Sequence, residues 1–135
     1  MERIAAIGYT ELETTARDNL DAMAPLFEKY KLKPVSMHLD VAVLTGKAKT
    51  TLAESIDGAK KHGLEDLVYP YVAPADRGSA ENYRKLADQM NRAARQVHSA
   101  GLTFWYQKAA VECGGEQGQR GSEVFNEAGG DNKVK

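Results

Sequence analysis

The sequence predicts an α/β fold in which a parallel sheet of about four strands is covered by amphipathic helices. Runs rich in β-branched and aromatic residues begin near residues 9, 34, 66 and 103. Stretches with apolar residues at helical spacing separate these runs, and two of these stretches are followed by glycines, Gly63 and Gly101. Parallel strands need long crossover connections, so a repeat of roughly 30 residues is typical of successive strand–helix units. We expect residues 1–135 to form a single domain.

The first half of the chain contains two predicted strands. Met1 to Ile7 has the pattern of a helix end, and Tyr9 to Thr14 follows as the first strand. A helix from about Asn19 to Tyr30 places apolar residues on one face, and Pro25 inside it predicts a kink or a late start. Pro34 to Leu39 is predicted as the second strand.

Two more strand–helix units follow. Thr51 and Glu54 have capping-box spacing and predict the start of a helix that ends at Gly63. Leu67 to Val72 is predicted as the third strand, with Pro70 near its end because proline cannot donate to the ladder. Ser79 is the predicted N-cap of a long helix to about Ala100.

The densest β-type run of the chain, Leu102 to Glu112, follows Gly101 and contains the fourth predicted strand. Its composition changes from apolar to polar along the run, as in a buried strand with a site at its carboxyl end. Residues 114–135 are rich in Gly and polar groups and are predicted to be a loose tail, with one or two helical turns at 122–128.

Two architectures fit this order of elements: an open doubly wound sheet, or an arc of a (β/α) barrel. A full barrel needs about 250 residues. The chain has 135, so four strands would supply about half of one. Such an arc would leave two strand edges unpaired, and pairing with a second copy would close them.

Composition excludes several classes of partner. The formal net charge of −1 gives no electrostatic basis for binding nucleic acid or an anionic membrane. No apolar run approaches the ~20 residues that span a bilayer, and no signal-peptide pattern occurs. The single cysteine, Cys113, cannot form an internal disulfide, which is typical of a reducing compartment and predicts a cytoplasmic protein.

Polar groups at the predicted carboxyl ends of the strands are the candidate site, because function lies there in both architectures. They are Glu13, His38, Asp40, Tyr69, Tyr71, Tyr106, Gln107, Lys108 and Glu112. Carboxylates, an imidazole and phenols on one rim suit a sugar or polyol, which needs directional hydrogen bonds and an acid/base pair. Carboxylates and an imidazole could also bind a divalent metal.

Each candidate also has a structural interpretation. The tyrosines would pack in the core, Glu13 would be a solvated loop carboxylate, and His38 would bond to a neighbouring loop. The glycines at 115–121 lack the spacing of a dinucleotide-binding loop, and no nucleophile elbow, Cys-x-x-Cys or zincin motif occurs.

The order of several short segments resembles one family. Ile4 to Glu13, Leu32 to His38, Gly78 to Asp88 and Ala100 to Phe104 are similar to strands two to five, with adjoining helices, of xylose isomerase-like TIM barrels described as sugar phosphate isomerases/epimerases. The resemblance implies a (β/α)8 fold and an enzyme that acts on sugars or polyols by metal-assisted proton transfer, with Mn, Mg, Zn or Co. It places Glu13 and His38 in the substrate pocket.

The fifth strand departs from that family. Relatives continue after the tyrosine with His-Asn-His and later Phe-Glu-Phe, whereas this chain has Gln107, Lys108 and two alanines, and only Glu112 matches the later part. The strand ends and the resemblance together predict catalytic groups at Glu13, His38 and Glu112. They predict substrate contacts at Tyr71, Tyr106, Gln107 and Lys108. The metal ligands stay unassigned.

Three functions are compatible with these observations. The first is a sugar isomerase or epimerase, which we expect to be inactive as this half-length chain. The second is a non-enzymatic half-barrel that associates with a second copy. The third is an open α/β module that binds a small ligand.

Overall fold

The structure is a computed structural model that describes residues 1–15, 17–73, 76, 79–107 and 133–134. Helices and strands alternate along the chain. In order, the elements are α1 (Glu2–Ile7), β1 (Glu11–Thr15), α2 (Arg17–Tyr30), β2 (Lys33–His38), a 3-10 turn (Val43–Thr45), α3 (Leu52–Lys61), β3 (Asp66–Tyr69), α4 (Ala80–Ser99), β4 (Thr103–Tyr106) and β5 (Lys133–Val134).

The strands form one parallel sheet in the order β1-β2-β3-β4-β5, so the predicted fold class is confirmed. The four predicted strands are present in sequence order. A two-residue strand at Lys133 and Val134 also pairs with Trp105 and Tyr106 of β4. These two residues were predicted to lie in a loose tail. The strand was missed because a pairing this short depends on backbone groups and produces no apolar pattern in the sequence.

One face of the sheet packs against the helices. Residues that alternate along the strands, among them Met37, Leu67, Tyr69, Phe104 and Tyr106, join the apolar residues of α2, α3 and α4 in one core. Ser36 and Val68 are also buried but lie outside that core. They lie at alternate positions, where strand side chains point to the opposite face.

Local signals determine the helix boundaries. The capping box at the start of α3 is present: the Thr51 hydroxyl accepts from the Glu54 backbone N–H, and the Glu54 carboxylate accepts from the Thr51 N–H. Ser79 caps α4 by accepting from the Asn82 N–H. Gly101 follows α4 with φ of 83°, a left-handed conformation that glycine adopts without steric cost.

Three predicted boundaries were wrong. Tyr9 precedes β1 and is exposed, because the strand begins at Glu11. β3 ends at Tyr69, so Pro70 and Tyr71 lie outside it; proline has no N–H with which to continue the ladder. Helix α2 begins at Arg17, two residues before the expected start at about Asn19, and it runs to Tyr30 with Pro25 inside it, so the helix does not start late at the proline.

Helices α2 and α3 are joined by an ionic cluster. Asp21 Oδ1 lies 2.7 Å from His62 Nε2 and accepts from Lys61 Nζ at 2.9 Å. The hydrogen bonds from His62 and Lys61 lower the pKa of Asp21 from 3.8 to about 2. A carboxyl with a lowered pKa stabilises the fold above its unfolded pKa, and this contribution is lost as the pH falls towards the folded value.

We expect Asp21→Asn to lower stability at neutral pH and to reduce the loss of stability between about pH 4 and pH 2. Urea unfolding at several pH values measures both effects. Asp57→Asn on α3 is the matched control, because it removes an aspartate that is exposed. Equal acid sensitivity in wild type and Asp21→Asn would contradict this role of the cluster.

Candidate functional site

The candidate site lies on the sheet face opposite the core, which we call the polar face. The strand register places side by side Glu13 of β1, Ser36 and His38 of β2, Asp66 and Val68 of β3, and Thr103 and Trp105 of β4. Because side chains alternate with a period of two, Ser36 and His38 point to the same side of β2.

A bulge aligns Glu13 with this face. Leu12 pairs with Pro34, but Glu13 pairs with Ser36, so one residue of β2, Val35, is skipped. In an unbroken register Glu13 would lie opposite Val35, whose side chain points to the other face. The irregularity therefore brings the carboxylate beside Ser36 and His38, as bulges near active sites often do.

Three side chains meet at this point. Ser36 Oγ donates a hydrogen bond of 2.5 Å to Glu13 Oε2. His38 Nε2 lies 3.9 Å from the same oxygen, which is too far for a direct hydrogen bond. That nitrogen is buried and has no hydrogen-bond partner among the described residues. The arrangement resembles a site that is completed by a ligand atom, because buried polar atoms are nearly always paired.

The environment of the three groups is graded from buried to exposed. Ser36 is 1% exposed, the His38 side chain 28% and the Glu13 side chain 48%. The carboxylate is thus accessible from solvent, whereas the serine beneath it is enclosed. A small polar ligand could reach the carboxylate and the imidazole from one direction.

The polar face continues across β3 and β4. Trp105 Nε1 donates to Asp66 Oδ1 at 2.9 Å. Val68 separates His38 from Trp105 in the register and is 1% exposed. The indole beside a carboxylate offers an apolar surface and hydrogen-bonding groups in one place, a combination that suits the C–H and O–H groups of a sugar.

The structure does not bring Tyr106 to the polar face. Its ring is buried in the core beside Tyr69, with ring centroids 6.4 Å apart. Tyr69 donates its hydroxyl to the Val41 carbonyl at 2.9 Å. Side chains alternate between the two faces of a sheet, and both rings lie at positions that point to the helix-packed face. They therefore lie on the opposite side of the sheet from Glu13 and His38.

The other predicted site residues lie at strand ends or outside the described residues. Tyr71 follows β3 and is 44% exposed, and Gln107 follows β4, where its backbone N–H donates to the Tyr69 carbonyl at 2.9 Å. Asp40 organises the loop after β2 by accepting from the Ala42 N–H at 2.8 Å. Lys108 and Glu112 lie outside the described residues.

Sequence reasoning missed Ser36, Asp66 and Trp105. All three lie at alternate strand positions, so their side chains point to the same face of the sheet as those of His38 and Val68. Extending the two-residue alternation from His38 back to Ser36 could have found the serine. No comparable signal identified Asp66, because it is the first residue of its strand.

The described residues do not make a metal centre by themselves. They contain no group of three His, Cys, Asp or Glu side chains arranged to hold an ion. Glu13 and His38 would supply two ligands, and the third neighbour, Ser36, carries a neutral hydroxyl.

Comparison with known proteins connects this fold to a class of barrels. A sugar phosphate isomerase/epimerase from Parabacteroides distasonis is similar over 98% of this chain, with a TM-score of 0.79 and 16% identity. A xylose isomerase-like TIM barrel protein from Mycobacterium smegmatis, solved in complex with magnesium, is similar over 98% with a TM-score of 0.68 and 9% identity. A family 2 AP endonuclease from Brucella melitensis is similar over 98%, with a TM-score of 0.66 and 10% identity.

The chain spans about half the length of these structures, covering 56%, 53% and 59% of them respectively. No protein-family model matches the sequence, and none of the curated proteins does. Among the described residues, no helix is long and apolar enough to cross a membrane. The parallel sheet, the helix-covered face and these similarities agree: the chain has the fold of about half of a xylose isomerase-like TIM barrel.

Proposed function

We propose that this chain binds a sugar or polyol on the polar face and, contrary to the inactivity expected from its half length, acts in isomerisation or epimerisation by proton transfer next to a carbonyl. One observation carries the proposal: Glu13 Oε2 and the buried, unpaired His38 Nε2 lie 3.9 Å apart on one face. An oxygen about 2.8 Å from each atom fits between them. The fold shared with a sugar phosphate isomerase/epimerase supports this class of substrate.

The two side chains would divide the chemistry. Glu13 Oε2 would accept the proton from the carbon beside the carbonyl, and the C–H electron pair would form the C=C bond of an enediol. His38 Nε2–H would donate its proton to the carbonyl oxygen. Protonated Glu13 would then give its proton to the former carbonyl carbon, and the neighbouring hydroxyl would return a proton to His38 Nε2 as the new C=O bond forms, which gives the isomer. An epimer would need a second acid on the opposite face of the carbon. A positioned acid or base typically contributes 10²–10⁴-fold to the rate.

Isotope exchange tests the proposed activity. Incubation of the protein with D-fructose in D₂O should place deuterium on the carbon next to the carbonyl, which proton NMR detects as loss of that signal. Titration of nitrogen-15-labelled protein with D-fructose should shift the NMR signals of the His38 imidazole. Binding without exchange would favour the alternative of a ligand-binding module, and absence of both would contradict the proposal.

A divalent metal remains a prediction from the family resemblance. One protein of the same fold was solved with magnesium, which supports metal use in this class of barrels. Mn, Mg, Zn and Co are the candidates for this chain. Repeating the exchange assay after chelation and after each metal is restored would identify a requirement. A cytoplasmic location likewise stays a prediction.

We also propose that two copies associate. Strand β1 is the edge of the described sheet, and an edge strand presents unpaired backbone groups to a partner. The chain spans about half of the barrels that it resembles, so a second copy could supply a comparable set of strands. Light scattering during size-exclusion chromatography tests this, and a monomer at high concentration would contradict it.

A further inference from the structure

We propose that Ser36 is a positioning residue that holds Glu13 apart from His38, so that a substrate oxygen can enter between them. The inference rests on the proposed function for the identity of that oxygen. We call the space between Glu13 Oε2 and His38 Nε2 the gap.

The gap is physically unusual. A buried imidazole nitrogen without a partner is unfavourable, and a carboxylate oxygen lies only 3.9 Å from it. Glu13 is about half exposed and has several rotatable bonds. A small rotation of its side chain would bring the oxygen into hydrogen-bond range of His38. Something must therefore favour the observed position of the carboxylate.

Ser36 supplies that preference. Its hydroxyl donates to Glu13 Oε2, the oxygen that faces His38. The serine cannot follow a moving carboxylate easily, because it is buried in β2 and its carbonyl accepts from Thr14 Oγ1 at 3.3 Å. The bulge between β1 and β2 places the two residues directly opposite each other. The serine thus keeps one lone pair of the carboxylate occupied and leaves the imidazole unpaired.

A gap held in this way is prepared for a ligand. An incoming hydroxyl would accept from His38 Nε2 and donate to Glu13 Oε2 without first breaking a Glu–His contact, whereas a carbonyl oxygen would accept from His38 Nε2 alone. Preorganisation of this kind favours binding, because the protein does not have to rearrange. Loss of the serine hydroxyl should let Glu13 move and close the gap.

Nitrogen-15 NMR of the His38 ring in the ligand-free protein tests the role of Ser36. In Ser36→Ala, Glu13 should accept a direct hydrogen bond from His38, which should give a protected downfield Nε2–H proton signal that wild type lacks. The double variant Ser36→Ala with Glu13→Ala should lose that signal. Ser55→Ala is the matched control, because Ser55 is a buried serine of α3 whose hydroxyl donates to the Thr51 carbonyl at 3.0 Å.

Unchanged His38 signals in Ser36→Ala would overturn the inference, and so would a new signal that persists without Glu13. If Ser36→Ala does not fold, Ser36→Cys replaces it, because a thiol is a weak donor of similar shape. D-fructose should bind about tenfold more weakly to Ser36→Ala than to wild type. If wild type does not bind D-fructose but the Nε2–H signal appears as described, the role of Ser36 stands and the proposed substrate fails.

Discussion

Replacement of Phe104 by alanine should lower the free energy of unfolding by about 3–5 kcal/mol, the range for a buried phenylalanine. Phe104 is fully buried at the centre of β4. It pairs with Leu67 of β3 in the register and belongs to the core beneath the helices. Truncation would remove apolar contacts and leave a cavity that neighbouring strands and α4 cannot fill without distortion.

Urea unfolding followed by circular dichroism measures this loss. Ile7→Ala is the control, because Ile7 is an apolar residue that is 75% exposed and should change stability by no more than about 0.5 kcal/mol. Similar losses in the two variants would mean that the helix-packed face is not the main core. If Phe104→Ala lowers the free energy of unfolding by much less than expected, the surrounding core must close around the shortened side chain.

Replacement of Glu13 by glutamine should reduce the rate of deuterium incorporation from D₂O by about 100-fold or more, because an amide cannot act as the base. Glutamine has the same length, and its amide oxygen can still accept a hydrogen bond from Ser36. Binding of D-fructose should therefore change much less than the rate. A split of this kind separates a chemical role of the carboxylate from a role in binding.

Glu11→Gln provides the matched control on the same strand. Glu11 is exposed and pairs with Lys33 in the register, away from His38. Its replacement removes one negative charge from β1 but should leave the exchange rate within about twofold of wild type, as expected for a surface change. Equal losses in the two variants would indicate a general effect of strand charge and would remove Glu13 from the proposed chemistry.

Local features of the sequence predicted most of the fold. The capping box at Thr51 and Glu54 and the N-cap at Ser79 depend on neighbours three residues away, so they could be read directly. The long helix predicted from the Ser79 cap to about Ala100 was likewise confirmed as α4, which buries Leu86, Met90 and Val97. Boundaries that depend on pairing with other strands, such as the start of β1, were less accurate.

The candidate site was predicted only in part. Glu13 and His38 were identified because they lie at the predicted carboxyl ends of strands, and the structure places Glu13 Oε2 3.9 Å from His38 Nε2. Tyr106 looked equally suitable at the end of its strand, yet its ring lies in the core. The difference arises because neighbouring residues of a strand point to opposite faces of the sheet, so a shift of one residue moves a side chain to the other face. The sequence does not show which face the helices cover.

The sequence by itself determined the alternation of strands and helices, the helix caps and the parallel sheet, because these follow from short-range periodicity and backbone chemistry. Only the tertiary structure decided which polar residues meet. Skipping Val35 in the pairing of β1 with β2 turns Glu13 towards Ser36 and His38. That register depends on contacts between residues 23 positions apart, whose packing and hydrogen bonds exist only once the sheet has formed.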